Sequence, residues 1–252
     1  MAASINSSPV QRERDLLGQT VVVIGGSSGI GLETARLARG KGAAIILTAR
    51  DPDRLHRAGL ELGASIGAFD ATDFDRLGRF FDALPTPIDH LLVTGLGLWH
   101  APLAEFDLDA ARRHLNARLM LPWQVAQHAA SKVRPGGTLL FMSSVGGRHP
   151  AAGLGLIVAL TAALPAMTKA LALQVAPVRV NLIAAGFVDM PSSASSPCDR
   201  IDERRQYLRS TLPIGRVVGP ADIAALAVHL MTNTAITGAT FDIDGGQQLV
   251  EG

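Results

Sequence analysis

The chain has 252 residues, of which 48% are apolar and 18% charged, a composition that suits a large buried core and excludes a disordered polypeptide. A net charge of +1, from 23 basic and 22 acidic side chains, argues against nucleic-acid binding. The single cysteine, Cys198, excludes an intrachain disulfide, and no apolar run approaches the ~20 residues of a membrane span. We therefore expect a cytoplasmic protein without a membrane partner, preceded by a flexible polar tail over residues 1–14.

Short apolar runs alternate with longer amphipathic stretches along the rest of the chain. The predicted strands are 19–25, 43–49, 64–70, 88–95, 137–144, 178–184 and 239–244. The helical patterns between them include 31–41, 76–84, 110–133, 156–176 and 220–232. This alternation predicts one α/β domain over 15–252, a doubly wound sheet of about seven mainly parallel strands with helices on both faces. The stretch 187–216 is rich in proline, serine and charge and is predicted to be an irregular lid.

A glycine-rich turn joins the first predicted strand to the first predicted helix. Without Cβ atoms in the way, backbone N–H groups and the helix N-terminus can approach a pyrophosphate. Tight turns also select glycine, but the strand–turn–helix context favours a dinucleotide site. The residues predicted to contact the cofactor here are Gly25, Ser27, Ser28, Gly29, Ile30 and Gly31.

The end of the second predicted strand indicates which dinucleotide is bound. A site for NAD(H) usually has an acid here for the ribose 2′-hydroxyl, whereas this chain has Ala49 followed by Arg50. A guanidinium suits a 2′-phosphate, so NADP(H) is favoured over NAD(H). In the alternative interpretation Arg50 is a solvated side chain, neutralised by Asp51.

These motifs, with others further along, resemble the short-chain dehydrogenase/reductase (SDR) family from about Leu16 to Leu249. VVVIGGSSGIG resembles the family's TGxxxGxG turn, VRVNLIAAGFVDMP its nicotinamide-covering segment, and PIGRVVGPADIA and FDIDGG its C-terminal signature. The resemblance implies a Rossmann-like fold, nicotinamide binding and carbonyl/alcohol oxidoreduction in a homodimer or homotetramer. It adds Asp70, Ala71, Gly97, Gly186 and Val188 to the expected cofactor contacts.

The catalytic residues match the family only in part. Asn116 and Ser144 match its helical Asn and its strand-end Ser, so Ser144 is expected to polarise a substrate oxygen and Asn116 to organise the helix and a proton-relay water. The family's Tyr comes thirteen residues after that Ser and its Lys four further on, where this chain has Ile157 and Thr161. In the family the Tyr supplies the proton, and the Lys lowers its pKa and hydrogen-bonds the nicotinamide ribose, for which Thr161 could at most substitute. A positioned general acid is worth ~100- to 10,000-fold in rate, so the absence of the Tyr removes a large contribution to catalysis.

Three hypotheses follow for the site. The first is an NADP(H)-dependent oxidoreductase acting on an apolar carbonyl or alcohol small molecule, with His100, His149 or Tyr207 as a substitute proton donor. The second is an NADP(H)-binding protein without redox turnover that acts as a sensor, regulator or partner subunit, and the third is redox-neutral chemistry. The histidines do not cluster with cysteine or carboxylates, so no metal site is predicted. Long apolar helices around 104–131 and 152–175 are expected to form the interface of the oligomer.

Overall fold

The computed structural model describes residues 16–95, 101–148, 152–190 and 201–250. Seven strands form one sheet in the order β3-β2-β1-β4-β5-β6-β7, and every neighbouring pair is parallel. The strands are β1 (Thr20–Ile24), β2 (Ala44–Ala49), β3 (Ser65–Ala68), β4 (Ile88–Val93), β5 (Val133–Ser144), β6 (Arg179–Ala185) and β7 (Thr240–Ile243). The predicted doubly wound sheet is confirmed.

Two apolar clusters, one on each face of the sheet, make up the core. One cluster receives side chains from α1, α2 and α8, and the other from α3, α5 and α6. The helices are α1 (Gly29–Gly40), α2 (Pro52–Leu62), α3 (Phe74–Ala83), α4 (Leu108–Leu115), α5 (Leu121–Ala129), α6 (Gly155–Gln174), α7 (Ile201–Thr211), α8 (Pro220–Thr232) and α9 (Gln247–Val250). Every residue of β4 and β6 is buried, which explains why these strands are almost continuously apolar in sequence.

Three boundaries differ from the sequence predictions. The single helix expected over 110–133 is divided into α4, a π-helical segment Asn116–Met120 and α5, and β5 already begins at Val133. The lid predicted to be irregular contains α7, whose Leu208 is fully buried. The sequence signal for α7 is weak because this helix is polar on most of its surface and buries little else.

The prediction that no apolar run approaches the length of a membrane span is wrong for α6. This helix has 20 residues and a mean hydropathy of 1.9 over its 18-residue window, enough by length and composition alone to cross a membrane. In the structure α6 packs one face against the second core cluster through Leu164 and Leu171. Its apolar character extends to the opposite, exposed face, where Leu173 is 83% exposed.

A buried arginine connects the start of β6 to the end of α8. Arg179, the first residue of β6, is 5% exposed, and its guanidinium donates hydrogen bonds only to main-chain carbonyls. The acceptors are Gly136 (3.1 Å), Leu230 (2.8 Å), Met231 (2.8 Å), Asn233 (3.0 Å) and Ile236 (3.2 Å). Burial lowers the pKa of Arg179. The carbonyls satisfied in this way include those that the end of a helix leaves without partners.

A buried histidine makes the fold sensitive to acid. His90 on β4 is 2% exposed, and its Nε2 lies 2.7 Å from Oε1 of Gln19. Burial, followed by the positive charges of Arg179 and Arg134, lowers the pKa of His90 from 6.5 to about 3. The folded chain therefore keeps this imidazole neutral at pH values where the unfolded chain protonates it.

We predict that the free energy of unfolding falls as the pH drops from about 6.5 toward 3, because only the unfolded state takes up the proton in that window. Between pH 7 and pH 5 the loss attributable to His90 is about 2 kcal/mol, at about 1.4 kcal/mol per pH unit. Urea denaturation at both pH values checks this. His90→Gln should flatten the dependence, whereas His56→Gln, at an exposed position, should leave the wild-type slope. Equal slopes in all three proteins would contradict the assignment.

Candidate functional site

The turn between β1 and α1 is closed so tightly that it excludes side chains. Gly25 has φ +90°, and a Cβ there would lie 2.6 Å from the carbonyl oxygen of Thr94. The amides of Gly25 and Gly26 donate to the carbonyl of Thr48 at 2.8 and 3.1 Å, which fixes the turn to the end of β2. A Cβ at Gly31 would also clash with the turn, at Gly25. Contacts within the protein thus leave no room for a Cβ at Gly25 and Gly31, and the compact turn leads directly into the N-terminus of α1, where a pyrophosphate can bind.

The first turn of α1 adds an electrostatic preference for an anion. Ser28 is the N-cap, but its side chain makes no capping hydrogen bond, and the first turn contains no acidic residue. The N-terminal N–H groups of a helix have no intrahelical acceptor and carry the positive end of the helix dipole. Ser27 and the N–H groups of Gly29, Ile30 and Gly31 therefore fit a nucleotide phosphate, as the sequence predicts.

The structure separates Arg50 from the acid that follows it. The carboxylate of Asp51 caps α2 by accepting from the amides of Asp53 (3.1 Å) and Arg54 (3.0 Å), and it pairs with the Arg54 guanidinium at 3.1 Å. The hydrogen bond from the Arg54 amide is the main reason that the pKa of Asp51 is lowered. Across the described residues Arg50 makes no hydrogen bond or ion pair of its own, so Asp51 does not neutralise it.

Asp70 lies just beyond the end of β3, the strand next to β2. Its Oδ1 accepts from the amide and the hydroxyl of Thr72 at 2.9 and 2.8 Å, which fixes the carboxylate just beyond β3. Ala71 follows it, half-buried. Because β3 and β2 are adjacent, Asp70 and Arg50 lie on the same side of the glycine turn.

Ser144 is the last residue of β5, and its hydroxyl is oriented by the main chain. The amide of Gly146 donates to Ser144 Oγ at 3.1 Å, which leaves the serine proton available for another acceptor. Asn116, exposed, begins the π-helical segment, in which the amide of Leu121 donates to the Asn116 carbonyl. Single π-turns inside α-helices are frequent at functional sites.

Helix α6 lies against the segment that follows Ser144. Gly147 is so close to Thr161 that a Cβ on Gly147 would lie 2.6 Å from Cγ2 of the threonine. Ile157 and Thr161 are 5% and 4% exposed. Within the described part of the chain α6 carries no tyrosine, and its single lysine, Lys169, is exposed.

The loop after β6 rests on the C-terminal segment. The amide of Phe187 donates to Oε1 of Gln247 at 2.8 Å, and a Cβ on Gly186 would lie 2.7 Å from Cβ of Asp244. Val188 is buried and forms a parallel bridge with Val218. Gly186 and Val188 are thus placed at the carboxyl end of β6, where the sequence analysis expects them.

The same C-terminal segment also holds the loop after β5. The Arg148 guanidinium donates hydrogen bonds to the Asp242 carboxylate from Nη1 (2.5 Å) and Nη2 (2.7 Å), and Nη1 also contacts the side-chain oxygen of Gln248. Its hydrogen bond is the main cause of the lowered pKa of Asp242. Sequence reasoning missed this pair because its members are 94 residues apart and no local motif connects them.

Several predicted residues lie away from this cluster or outside the described residues. Gly97, His100 and His149 fall outside the described ranges. Tyr207 lies on α7, 46% exposed, with the Arg204 guanidinium 5.8 Å from its ring centroid. In the described residues no group of three or more His, Cys, Asp or Glu side chains is arranged to hold a metal ion.

A cavity of about 480 Å³ opens between α7 and the loop after β6. Its lining is Asp189, Asp202, Arg205, Gln206 and Arg209. Arg205 joins the two sides by pairing with Asp189 at 2.8 Å and with Asp202 at 2.9 Å. This lining is polar and charged.

We predict that Arg148→Met loosens the loop around Ser144 without unfolding the chain. Because the pair is partly exposed, its loss should change the free energy of unfolding by no more than about 1 kcal/mol. Hydrogen–deuterium exchange should nevertheless rise in peptides covering 144–148. Arg216→Met removes a similar bidentate pair with Asp222, remote in sequence from Ser144, and is the matched control. Unchanged exchange at 144–148 in Arg148→Met would show that the pair does not restrain this loop.

Comparison with known proteins agrees with this geometry. A family model described as enoyl-(acyl carrier protein) reductase matches residues 24–248. A short-chain dehydrogenase/reductase, ATR9, of Stachybotrys chlorohalonatus is 28% identical over 245 residues, which cover 91% of this chain and 96% of that protein. The structure of MalC reductase/Diels-Alderase from Malbranchea aurantiaca has a TM-score of 0.87 at 25% identity, and the match covers 94% of this chain and 100% of that one.

A second solved structure, BdcA in complex with NADPH, has a TM-score of 0.81 at 28% identity and covers 91% of this chain and 94% of that one. The glycine turn, the parallel sheet and these matches along nearly the whole chain lead to one family. The chain belongs to the short-chain dehydrogenase/reductase family of Rossmann-like oxidoreductases.

Proposed function

We propose that the chain is an NADP(H)-dependent oxidoreductase that transfers a hydride to or from a small carbonyl or alcohol compound. The observation that carries this proposal is the nucleotide crevice: a compact glycine turn leading into α1, next to an arginine with no partner among the described residues. The relative BdcA, whose structure contains NADPH, supports the choice of cofactor.

Residues at the carboxyl edge of the sheet would each contact a different part of the cofactor. Gly25, Gly29 and Gly31 would receive the pyrophosphate, Arg50 the 2′-phosphate and Asp70 the adenine side. Arg50 is suited to this role because its guanidinium offers planar donors to a phosphate, and the nearest carboxylate already binds α2.

The bound nicotinamide would supply the hydride, and the chain's own side chains would handle the oxygen of the substrate. Ser144 accepts from the Gly146 amide and can donate its proton to that oxygen, which stabilises developing negative charge. Ile157 on α6 cannot donate a proton. The proton must therefore come through water or from another side chain, for which His100, His149 and Tyr207 remain predictions.

A second candidate function is nucleotide binding without redox turnover. The observation that favours it is the composition of α6 near Ser144, where Ile157 and Thr161 offer no group able to protonate an alkoxide. The two functions share the crevice and differ in turnover. Sustained consumption of NADPH with any carbonyl substrate selects the oxidoreductase, whereas tight binding without consumption across a broad carbonyl panel selects the sensor or regulator.

We predict that the chain binds NADPH more tightly than NADH and that Arg50→Gln removes the difference. A charge-assisted hydrogen bond contributes ~1.5–3 kcal/mol, so the Kd for NADPH should rise about 10- to 100-fold while that for NADH stays nearly unchanged. Titration followed by nicotinamide fluorescence measures both constants. Arg54→Gln is the matched control, because Arg54 already pairs with Asp51. Equal losses for the two variants, or equal affinities for the two nucleotides, would contradict the role of Arg50.

We also propose a homodimer or homotetramer assembled through the outer faces of α4, α5 and α6. Large apolar side chains are exposed there, including Leu108 (56%), Trp123 (38%) and Leu173 (83%), together with alanines of α6. A second copy of the chain fits this surface because it presents the same apolar groups, and the exposed charges of α4 are already paired with each other, Asp109 with Arg112 and Asp107 with Arg113.

We predict that Ala166→Arg, at the exposed face of α6, shifts the sedimentation coefficient of the chain to that of a monomer. A charge placed in a packed apolar interface is strongly unfavourable because it loses its hydration. Leu60→Arg, at a 71% exposed position on α2, is the control and should keep the oligomer. A wild-type chain that sediments as a monomer would overturn the proposal.

A further inference from the structure

The side of α7 that lines the cavity after β6 carries polar side chains at helical spacing. On this side the cavity of about 480 Å³ is lined by Asp202, Arg205, Gln206 and Arg209. Residues three, four and seven positions apart lie on one side of an α-helix, so these four side chains form a continuous strip. Leu208 is fully buried and does not belong to the lining. The helix therefore has an apolar anchor in the core and a polar strip along the cavity.

The charges of this strip are only partly neutralised inside the cavity. The Arg205 guanidinium pairs with Asp189 on the opposite side at 2.8 Å and with Asp202 at 2.9 Å. The Asp202 side chain is 89% exposed, so water weakens the effect of its charge. Arg209 makes no hydrogen bond or ion pair with any residue that the structure describes, and the same is true of Gln206. One guanidinium and one amide group in the lining can therefore bind a ligand.

Arg209 and Gln206 are spaced so that both can bind the same chemical group. Side chains three residues apart on a helix have Cβ atoms about 5–6 Å from each other, so both can reach one small acceptor. A guanidinium binds a carboxylate through two parallel N–H···O bonds, and a glutamine amide can donate another. Because hydrogen bonds to a charged acceptor are the stronger ones, this pair of donors favours a carboxylate over a neutral carbonyl.

The cavity borders the part of the crevice where a substrate would react. Ala185 is the register partner of Ser144 in the sheet, and Asp189 of the cavity lining comes four residues later, at most about 14 Å away. Met190 follows and lies against the nucleotide turn, since a Cβ on Gly29 would be 2.8 Å from the Met190 Sδ. The loop after β6 therefore runs from beside Ser144 to the nucleotide turn, and the cavity lies along this loop.

We infer that this cavity binds a carboxylate of the substrate through Arg209 and Gln206, while the carbonyl or alcohol group of the same molecule lies at Ser144. This inference rests on the proposed function and names its substrate class: aldehydes, ketones or alcohols that also carry a carboxylate. The remainder of such a compound can be apolar, as the sequence analysis expects. Arg205 joins the two sides of the cavity, and its guanidinium is already paired.

The test uses carbonyl acids and their methyl esters. Pyruvate, levulinate and 4-formylbenzoate place the carboxylate at increasing distances from the carbonyl, and the matching esters lack the charge. Isothermal titration calorimetry of the full chain saturated with NADP+ gives the Kd of each probe, and the oxidised cofactor has no hydride with which to reduce it. We expect the wild type to bind at least one acid about tenfold more tightly than its ester, as the weaker charge-assisted hydrogen bonds do.

Three variants test whether Arg209 causes this preference. Arg209→Gln should raise the Kd of the preferred acid about tenfold and leave that of its ester unchanged. Arg209→Lys keeps the charge and should keep part of the preference. Arg204→Gln is the matched control, because it removes the same charge from the same helix at a side chain that lies over the Tyr207 ring, outside the lining. Because Arg209 is exposed, its substitution should leave the Tm unchanged.

The inference would be overturned by equal affinities for every acid and its ester, by the absence of binding of all probes, or by equal effects of Arg209→Gln and Arg204→Gln. Failure of the proposed function gives a different result. In that case the wild type would not bind NADPH in a titration without any carbonyl compound, or it would consume no NADPH with an acid that it binds.

Discussion

The buried guanidinium of Arg179 is the interaction on which the C-terminal third of the fold depends. It donates hydrogen bonds to the last carbonyls of α8 and to carbonyls of the turn that follows, and these bonds hold the end of α8 beside the start of β6. Two residues later, Asn181 bonds the Ile236 carbonyl and the Ala239 amide through its amide group, immediately before β7. Removing the guanidinium would leave several main-chain carbonyls buried without donors, which is costlier than the loss of ordinary packing.

The effect of this anchor reaches the functional site through β7. Once β7 is placed beside β6, Asp242 of β7 binds Arg148, and Gln247 just beyond β7 accepts from the amide of Phe187. One short segment thus holds two loops, the one after Ser144 and the one after β6. Because both loops contact the same segment, their positions relative to each other are fixed even where each loop makes few other contacts.

The sequence predicts the sheet and the nucleotide turn well because both depend on local patterns. Apolar strands alternating with helices lead to parallel β1–β7, and glycines at a strand–helix junction indicate a phosphate site. The sequence does not reveal the pairing of Arg148 with Asp242, because the two residues are far apart in the chain. Asp51 is compatible in sequence with neutralising Arg50 or with capping α2, and its hydrogen bonds from the Asp53 and Arg54 amides show that it caps the helix. Helix α7 is polar on most of its surface, and α6 is apolar on both faces, so neither has the periodicity of an ordinary surface helix.

The outer face of α6 has a thermodynamic consequence. Contact of water with the largely apolar outer face of α6 is unfavourable, so a second copy of the chain covering that face would stabilise the folded state by mass action. Folding and association would then be one linked equilibrium, and the midpoint of thermal unfolding would rise with protein concentration. Dilution, rather than a change of temperature or solvent, would be enough to weaken a chain whose internal contacts are all intact.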